Sequence, residues 1–256
     1  MTGSLKGRFP FRFGSTSYLH PADIGTNIRL AGGLMDEMEL ILFEGKDYSN
    51  LPGPADVQRF SSLAAETGLR FNVHLPLDLD VTAEDETTRI RALDTMLRIV
   101  DLTAPLSPTG FPLHLPREDA VDVRRWEDRA RRSLSRLSGS GIPFCVETLS
   151  YDLREIDGAL REYGFPVCID VGHLLIGNRD VAEFFRAFRG RVPMVHLHGV
   201  RDGRDHASLR HLSAAQRAAI AEAIRGEPSV RSVSLEVFSL GDFSDSAEAL
   251  KEMFSR

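Results

Sequence analysis

The sequence predicts one α/β domain folded as a closed (β/α)8 barrel. Three observations lead there. Short apolar runs alternate along the whole chain with segments of helical periodicity. The length of 256 residues suits an all-parallel barrel, which runs to about 250 residues as a single domain. No linker or composition break divides residues 11–256. The alternative, an open doubly wound sheet, lacks a glycine fingerprint for dinucleotides.

The elements follow in order. Residues 1–10 read as a short disordered polar tail. Residues 11–18 form the first strand, and Pro21-Ala22-Asp23 opens a helix over 23–33. The second strand is 38–44, followed by a Gly/Pro/Asn-rich loop and a helix over 54–67. The third is 71–75; the helix after it starts from the acidic turn at 82–85 and carries Ile90, Leu93, Met96, Leu97 and Val100 at a period near 3.6. The fourth strand is 110–115, before a basic helix over 120–138 whose single Trp126 packs inward. The fifth is 142–148, with a helix over 151–163; the sixth is 167–173. Phe184, Phe185 and Phe188 give the helix at 181–188 its core face. The seventh strand is 194–198, with a long loop to 212 and a helix over 213–225. The eighth is 230–238, and a helix from 244 to 254 closes the chain.

Composition narrows the functional classes. The formal charge of −6 opposes tracking of a nucleic-acid backbone. No run of about 18 apolar residues and no signal-peptide pattern occurs, so the expectation is a soluble cytoplasmic protein without a membrane partner. Cys145 and Cys168 each lie inside an apolar run, as buried thiols do.

The chemistry gathers at strand ends. His74, His114, Glu147, Asp170, His198 and Glu236 each close a different strand, from the third to the eighth. Strand side chains alternate with period two, and the residues two positions back (Asn72, Pro112, Cys145, Cys168, His196 and Ser234) are the small or polar fillers of a barrel interior. The six therefore point into one mouth at the C-terminal face, where sites of this fold sit. Converging carboxylates and imidazoles are costly without a cation, so a divalent metal, zinc or manganese, is expected. Gly172 lets the chain turn tightly between Asp170 and His173. In the seventh loop, Asp205 and His206 are further ligand candidates, and Arg201 and Arg204 candidates to clamp a phosphate or sugar oxygen. His20 and His211 have no strand-end placement and read as surface residues.

These residues resemble the xylose-isomerase-like TIM-barrel superfamily, which includes endonuclease IV and many sugar isomerases and epimerases. Glu147, Asp170, His198 and Glu236 match its metal quartet, and Asp170-Val-Gly-His173 its Asp-x-x-His element. His74 and His114 match two extra histidines of the endonuclease IV branch. That branch adds a third metal through the Asp-x-x-His histidine and an Asp-x-His pair; here the loop reads Asp205-His206 without the spacer. A narrower resemblance runs through Gly14-Ser-Thr-Ser-Tyr18, Pro21-Ala-Asp-Ile24, Glu39-Leu-Ile-Leu-Phe-Glu44, Ser49-Asn-Leu-Pro52 and Val73-His-Leu-Pro-Leu-Asp78. These segments look like cobamide-remodelling phosphodiesterases of the CbiR type, which hydrolyse the nucleotide-loop phosphodiester of cobamides such as adenosylcobalamin.

The resemblance implies two or three divalent ions per chain and a cobamide as partner. Glu147 would be shared between two ions about 3.5–4 Å apart, with His74 and His114 completing one site and Asp170, His198 and Glu236 the other. Glu147, Glu236 and His173 carry the catalytic roles, and His173 and His206 serve a third ion or the phosphate. Tyr18, Tyr48 and Asn50, on the loops after the first two strands, would contact the large substrate. The alternative is a sugar (phosphate) isomerase or epimerase, with Glu147 and Glu236 as acid and base across one metal. Repair of abasic DNA is opposed by the charge; a corrinoid or sugar binder with a vestigial site is the non-catalytic reading.

Overall fold

In the computed structural model, residues 3–45, 48–118 and 121–255 are described. Eight parallel strands form the barrel: β1 (Arg12–Thr16), β2 (Glu37–Ile41), β3 (Arg70–His74), β4 (Phe111–Leu113), β5 (Phe144–Glu147), β6 (Val167–Asp170), β7 (Met194–Leu197) and, after an inserted hairpin of β8 (Gly199–Arg201) and β9 (Arg204–Ala207), β10 (Ser232–Leu235). They pair in the order β3-β2-β1-β10-β7-β6-β5-β4. The two ends of that order meet: Thr109 N–H donates to Phe71 O at 2.8 Å, Val73 N–H to Gly110 O at 3.0 Å and Leu75 N–H to Pro112 O at 3.0 Å. These bonds close the barrel, joining the two strands at the ends of that order.

Among the described residues, nine α-helices surround it: α1 (Ile24–Ala31), α2 (Pro54–Thr67), α3 (Glu86–Thr103), α4 (Val123–Leu137), α5 (Asp157–Glu162), α6 (Val171–Ile176), α7 (Val181–Ala187), α8 (Ala214–Gly226) and α9 (Leu240–Phe254). Most starts are written in the sequence as side-chain caps. Asp23, Asp85, Asp122, Asp180, Ser213 and Ser239 each accept a backbone N–H of the first turn, at about 1 kcal/mol apiece. Pro54 opens α2, and Gly68, at φ 63°, closes it in the left-handed conformation that glycine adopts without a Cβ penalty. Trp126 is fully buried, and its indole N–H donates to Pro116 O at 2.9 Å.

Four sequence expectations change. The tail packs from Ser4 onward: Ser4 bonds Gly33 O, Leu5 is buried, and Phe9 stacks on Phe11 with centroids 5.3 Å apart. Leu5 and Phe9 anchor it, with Gly7 N–H bonded to Asp36 Oδ1 at 2.9 Å; Met1 and Thr2 lie outside the described residues. The segment after Asp170 is a helix, α6, rather than a turn. The long seventh loop contains the β8–β9 hairpin, turned at Asp202 (φ 52°) and Gly203 (φ 74°), a pair suited to a two-residue type I′ turn. Finally, α9 starts at Leu240, four residues before its expected start, because Ser239 caps it. The expected start of the basic helix at residue 120 lies outside the described residues.

Cys145 and Cys168 are buried and free, packed with Met194 as a sulfur-lined layer inside the barrel. Each lies two residues before the polar residue above it on β5, β6 and β7, so the layer forms the floor of the mouth. Among the described residues, no helix is long and apolar enough to cross a membrane.

Candidate metal centre

Glu147, the last residue of β5, is the hub of the mouth. Its Oε2 lies 3.0 Å from His74 Nε2, 3.2 Å from His114 Nε2 and 3.3 Å from His196 Nδ1; its Oε1 lies 3.4 Å from His173 Nδ1. Only 1% of the residue is exposed. Burial pushes this carboxyl up, but the His114 and His196 rings outweigh it and hold Glu147 well below the ordinary range.

Backbone carbonyls aim the histidines. His74 Nδ1 lies 2.8 Å from Leu75 O, His173 Nδ1 3.1 Å from Thr148 O and His206 Nδ1 3.1 Å from Glu236 O. A carbonyl only accepts, so each Nδ1 carries its proton, and in the neutral ring Nε2 is left with a lone pair. For His74 that lone pair faces a carboxylate, an arrangement that repels unless a proton or cation sits between them. Metal-binding histidines are held by this kind of backing bond.

The seventh strand brings two histidines to the site, at different places from those expected. His198, expected in the quartet with Glu147, Asp170 and Glu236, has both nitrogens engaged. Its Nδ1 accepts the backbone N–H of His206 at 2.9 Å, and its Nε2 donates to Asp170 at 3.1 Å. His196, two residues earlier and read from sequence as filler, takes the central place. It is fully buried, with Nδ1 3.3 Å from both Glu147 Oε2 and Glu236 Oε1 and Nε2 2.9 Å from Glu39 Oε1. Neither His196 nitrogen, nor His114 Nε2, nor Glu39 Oε1 makes an aligned hydrogen bond. Buried polar atoms rarely stay unpaired, and these orphans converge.

Among the described residues, three groups of donor atoms therefore have metal-binding spacing, each within 4.8 Å: His74, Glu147 and His196; Glu147, Asp170, His196 and Glu236; and His173, His198 and His206, with His114 outside all three. Nitrogen and carboxylate donors in these numbers fit divalent zinc or manganese. Asp205 borders the third group, its Oδ2 3.8 Å from His173 Nε2 and 3.9 Å from His206 Nε2. His206 sits at φ 52°, a left-handed conformation that costs a non-glycine residue about 1 kcal/mol or more and clusters at functional sites.

Local folding supports this geometry. Asp170 caps α6, accepting His173 N–H at 2.7 Å, so helix capping and the strand-end carboxylate are one feature. Gly172 serves closeness rather than a turn: a Cβ there would stand 1.9 Å from His198 Cε1. The two flanking carboxyls titrate in opposite directions. Burial, reinforced by Glu39 and Glu147 and opposed by His196, raises Glu236 well above the ordinary range, whereas Glu147 is lowered.

The mouth is a cavity of about 460 Å³, and apolar side chains rim it: Ile41, Phe43, Leu77, Leu149, Ile176 and Phe238. The expected substrate residues fall elsewhere. Arg201 and Arg204 pair across the hairpin tip, exposed to solvent and outside the cavity lining, because the tight turn holds both at its open end. Tyr18, Tyr48 and Asn50 line a separate neighbouring cavity.

Residues 31–253 match the family model described as xylose isomerase-like TIM barrel. No curated protein matches the sequence. Among solved structures, the chain is similar to a D-tagatose 3-epimerase-like protein (TM-score 0.78, 19% identity, 96% of this chain and 97% of that one). It is also similar to a D-psicose 3-epimerase (0.77, 16%, 94% and 98%) and to an E. coli 3-keto-D-glucoside 4-epimerase (0.73, 16%, 96% and 100%). At these identities the likeness is one of fold. The family match covers most of the barrel, including every strand that carries a candidate ligand, and the chain belongs to the xylose isomerase-like TIM barrel family.

Proposed function

We propose that this chain is a metal-dependent phosphodiesterase that hydrolyses the nucleotide-loop phosphodiester of cobamides. The observation that carries the reading is the pair His74 and His114 on Glu147 Oε2, at 3.0 and 3.2 Å. His74 forms a second ligand group with Glu147 and His196, His114 stands beside it on the same carboxylate oxygen, and a single-cation isomerase has no need of either. The apolar rim, with Leu77 and Phe238 about half exposed, suits the bulky, largely apolar-edged corrin better than a small polyol.

Divalent ions bound here would polarise the phosphoryl oxygens and make water acidic enough to yield hydroxide near neutral pH. The chain supplies the rest. Glu147 bridges the two ligand groups and orients the histidines around it. Glu236, whose carboxyl is raised well above the ordinary range by burial, is placed to hold a proton for the departing alkoxide. His173 and His206 would hold a further ion beside the phosphate through their Nε2 lone pairs, and the closed barrel keeps bulk water from below.

A second reading, sugar isomerase or epimerase, has its own support. The similar solved structures carry epimerase names, which favours this reading. The opposite displacement of Glu147 and Glu236 also suits an acid–base pair acting across one cation. One experiment separates them: incubate the metal-loaded protein with adenosylcobalamin and, in parallel, with D-fructose and D-tagatose, each beside a chelated control. Chelator-sensitive release of the benzimidazole nucleoside or nucleotide supports the phosphodiesterase. Intact adenosylcobalamin with epimerised ketose overturns it for the second reading.

A further inference from the structure

The C-terminal face carries a second cavity, of about 420 Å³, between the loops after β1 and β2 and helices α1 and α2. Tyr18, Tyr48, Asn50, Arg59, Asp23 and Phe60 are among its walls. Phe43 stands between it and the mouth. Its side chain lines the mouth, while its ring lies 6.2 Å from the Tyr18 ring and 6.1 Å from the Tyr48 ring. The partition is fixed by Asn50, whose Oδ1 accepts Phe43 N–H at 2.6 Å and whose Nδ2 donates to Ile41 O at 2.9 Å and to Tyr18 OH at 2.7 Å. The Tyr18 hydroxyl accepts this bond at the cavity wall, next to Tyr48. Tyr48 is 59% exposed beside the Phe43 ring.

A phosphodiester has two alcohol halves, and this face has two cavities on either side of one ring. The mouth is walled by aliphatic side chains and Phe rings. The second cavity is walled by phenols, an amide and the Arg59–Asp23 ion pair. Building on the phosphodiesterase reading, we propose that the second cavity docks the nucleoside half of the substrate. The heteroaromatic base stacks on Tyr48, the ribose hydroxyls bond Tyr18 and Asp23, and the phosphate lies across Phe43 in the mouth. Aromatic faces hold bases of differing structure by stacking, so this site would accept several lower-ligand bases.

The probe is α-ribazole, the benzimidazole nucleoside of cobalamin, titrated calorimetrically into the full-length protein, metal-loaded and chelated. Binding is expected in both states, because no candidate metal ligand lines this cavity. Tyr48→Ala, a solvent-facing change that does not threaten the core, should weaken binding roughly tenfold, and Tyr18→Phe should weaken it less. The KM for adenosylcobalamin should rise in step with these affinities. Absence of α-ribazole binding, or equal binding by wild type and both variants, overturns the proposal. Tyr48-dependent binding with adenosylcobalamin left intact supports the docking site while removing the phosphodiesterase reading. Hydrolysis with a KM indifferent to Tyr48 and Tyr18 does the reverse.

Discussion

Two buried carboxylates two residues apart on β2 point into the same barrel and meet different fates. Glu37, near the floor, is saturated. Arg12 Nε donates to it at 2.9 Å, Asn72 Nδ2 at 3.1 Å, and the hydroxyls of Thr109 and Ser232 complete its shell. Glu39, one layer higher, takes a hydrogen bond from Ser234 at 2.6 Å, while its other oxygen sits unaligned 2.9 Å from His196. Glu37 finishes its own hydrogen bonding, although Asn72 Oδ1 beside it stays unpaired; the upper layer leaves nitrogen and oxygen atoms facing one another. A saturated buried charge holds a fold together, whereas a cluster left open at one end is shaped for an ion that completes it.

The contrast breaks most visibly at Glu147. Glu147→Ala should cut adenosylcobalamin hydrolysis by more than the ~10–100-fold that loss of a supporting group costs, and should lower bound metal with folding retained by circular dichroism. Glu37→Ala should do the opposite. Orphaning Asn72, Thr109 and Ser232 should cost about 2–4 kcal/mol of stability, read by urea denaturation, with metal content unchanged. Glu39→Gln sharpens the division, weakening metal affinity by ~10–100-fold with little change in the urea midpoint.

The smallest effect is one of pH on the metal-free protein. Burial disfavours the His173 imidazolium, but Asp170 and Glu147 more than offset it and lift the group from 6.5 to about 10. A raised histidine contributes stability that is complete below its unfolded pKa and lost as pH rises through the folded one. The metal-free midpoint in urea should therefore decline between about pH 6.5 and 10, and metal should bind more tightly over the same window as these protons leave. A chelated protein with a flat profile there would remove the charged His173 from the account.

Much of this layout was readable from the chain. His74, His114, Glu147, Asp170 and Glu236 each interrupt an apolar run where a parallel strand must end, and the fold collects those ends at one rim. His196 was hidden because it lies one pleat below the rim, among fillers. The Val-His-Leu-His spacing still held the signal, since residues two apart share a face. Glu37 and Glu39 escaped because acidic residues inside a strand look like a solvent face until barrel closure buries them. The β8–β9 hairpin was masked by its charge, although Asp202-Gly203 is a hairpin turn pair. The His206 N–H that occupies His198 Nδ1 comes from a hairpin no periodicity announced.

The most direct measurement is metal stoichiometry. Protein reconstituted with zinc or manganese, freed of excess by gel filtration and analysed by mass spectrometry, should hold two or three ions per chain in wild type. A His74→Ala/His114→Ala double variant should hold one fewer. Wild type retaining one ion or none, or a double variant that loses nothing, would contradict the second ligand group on which the account rests.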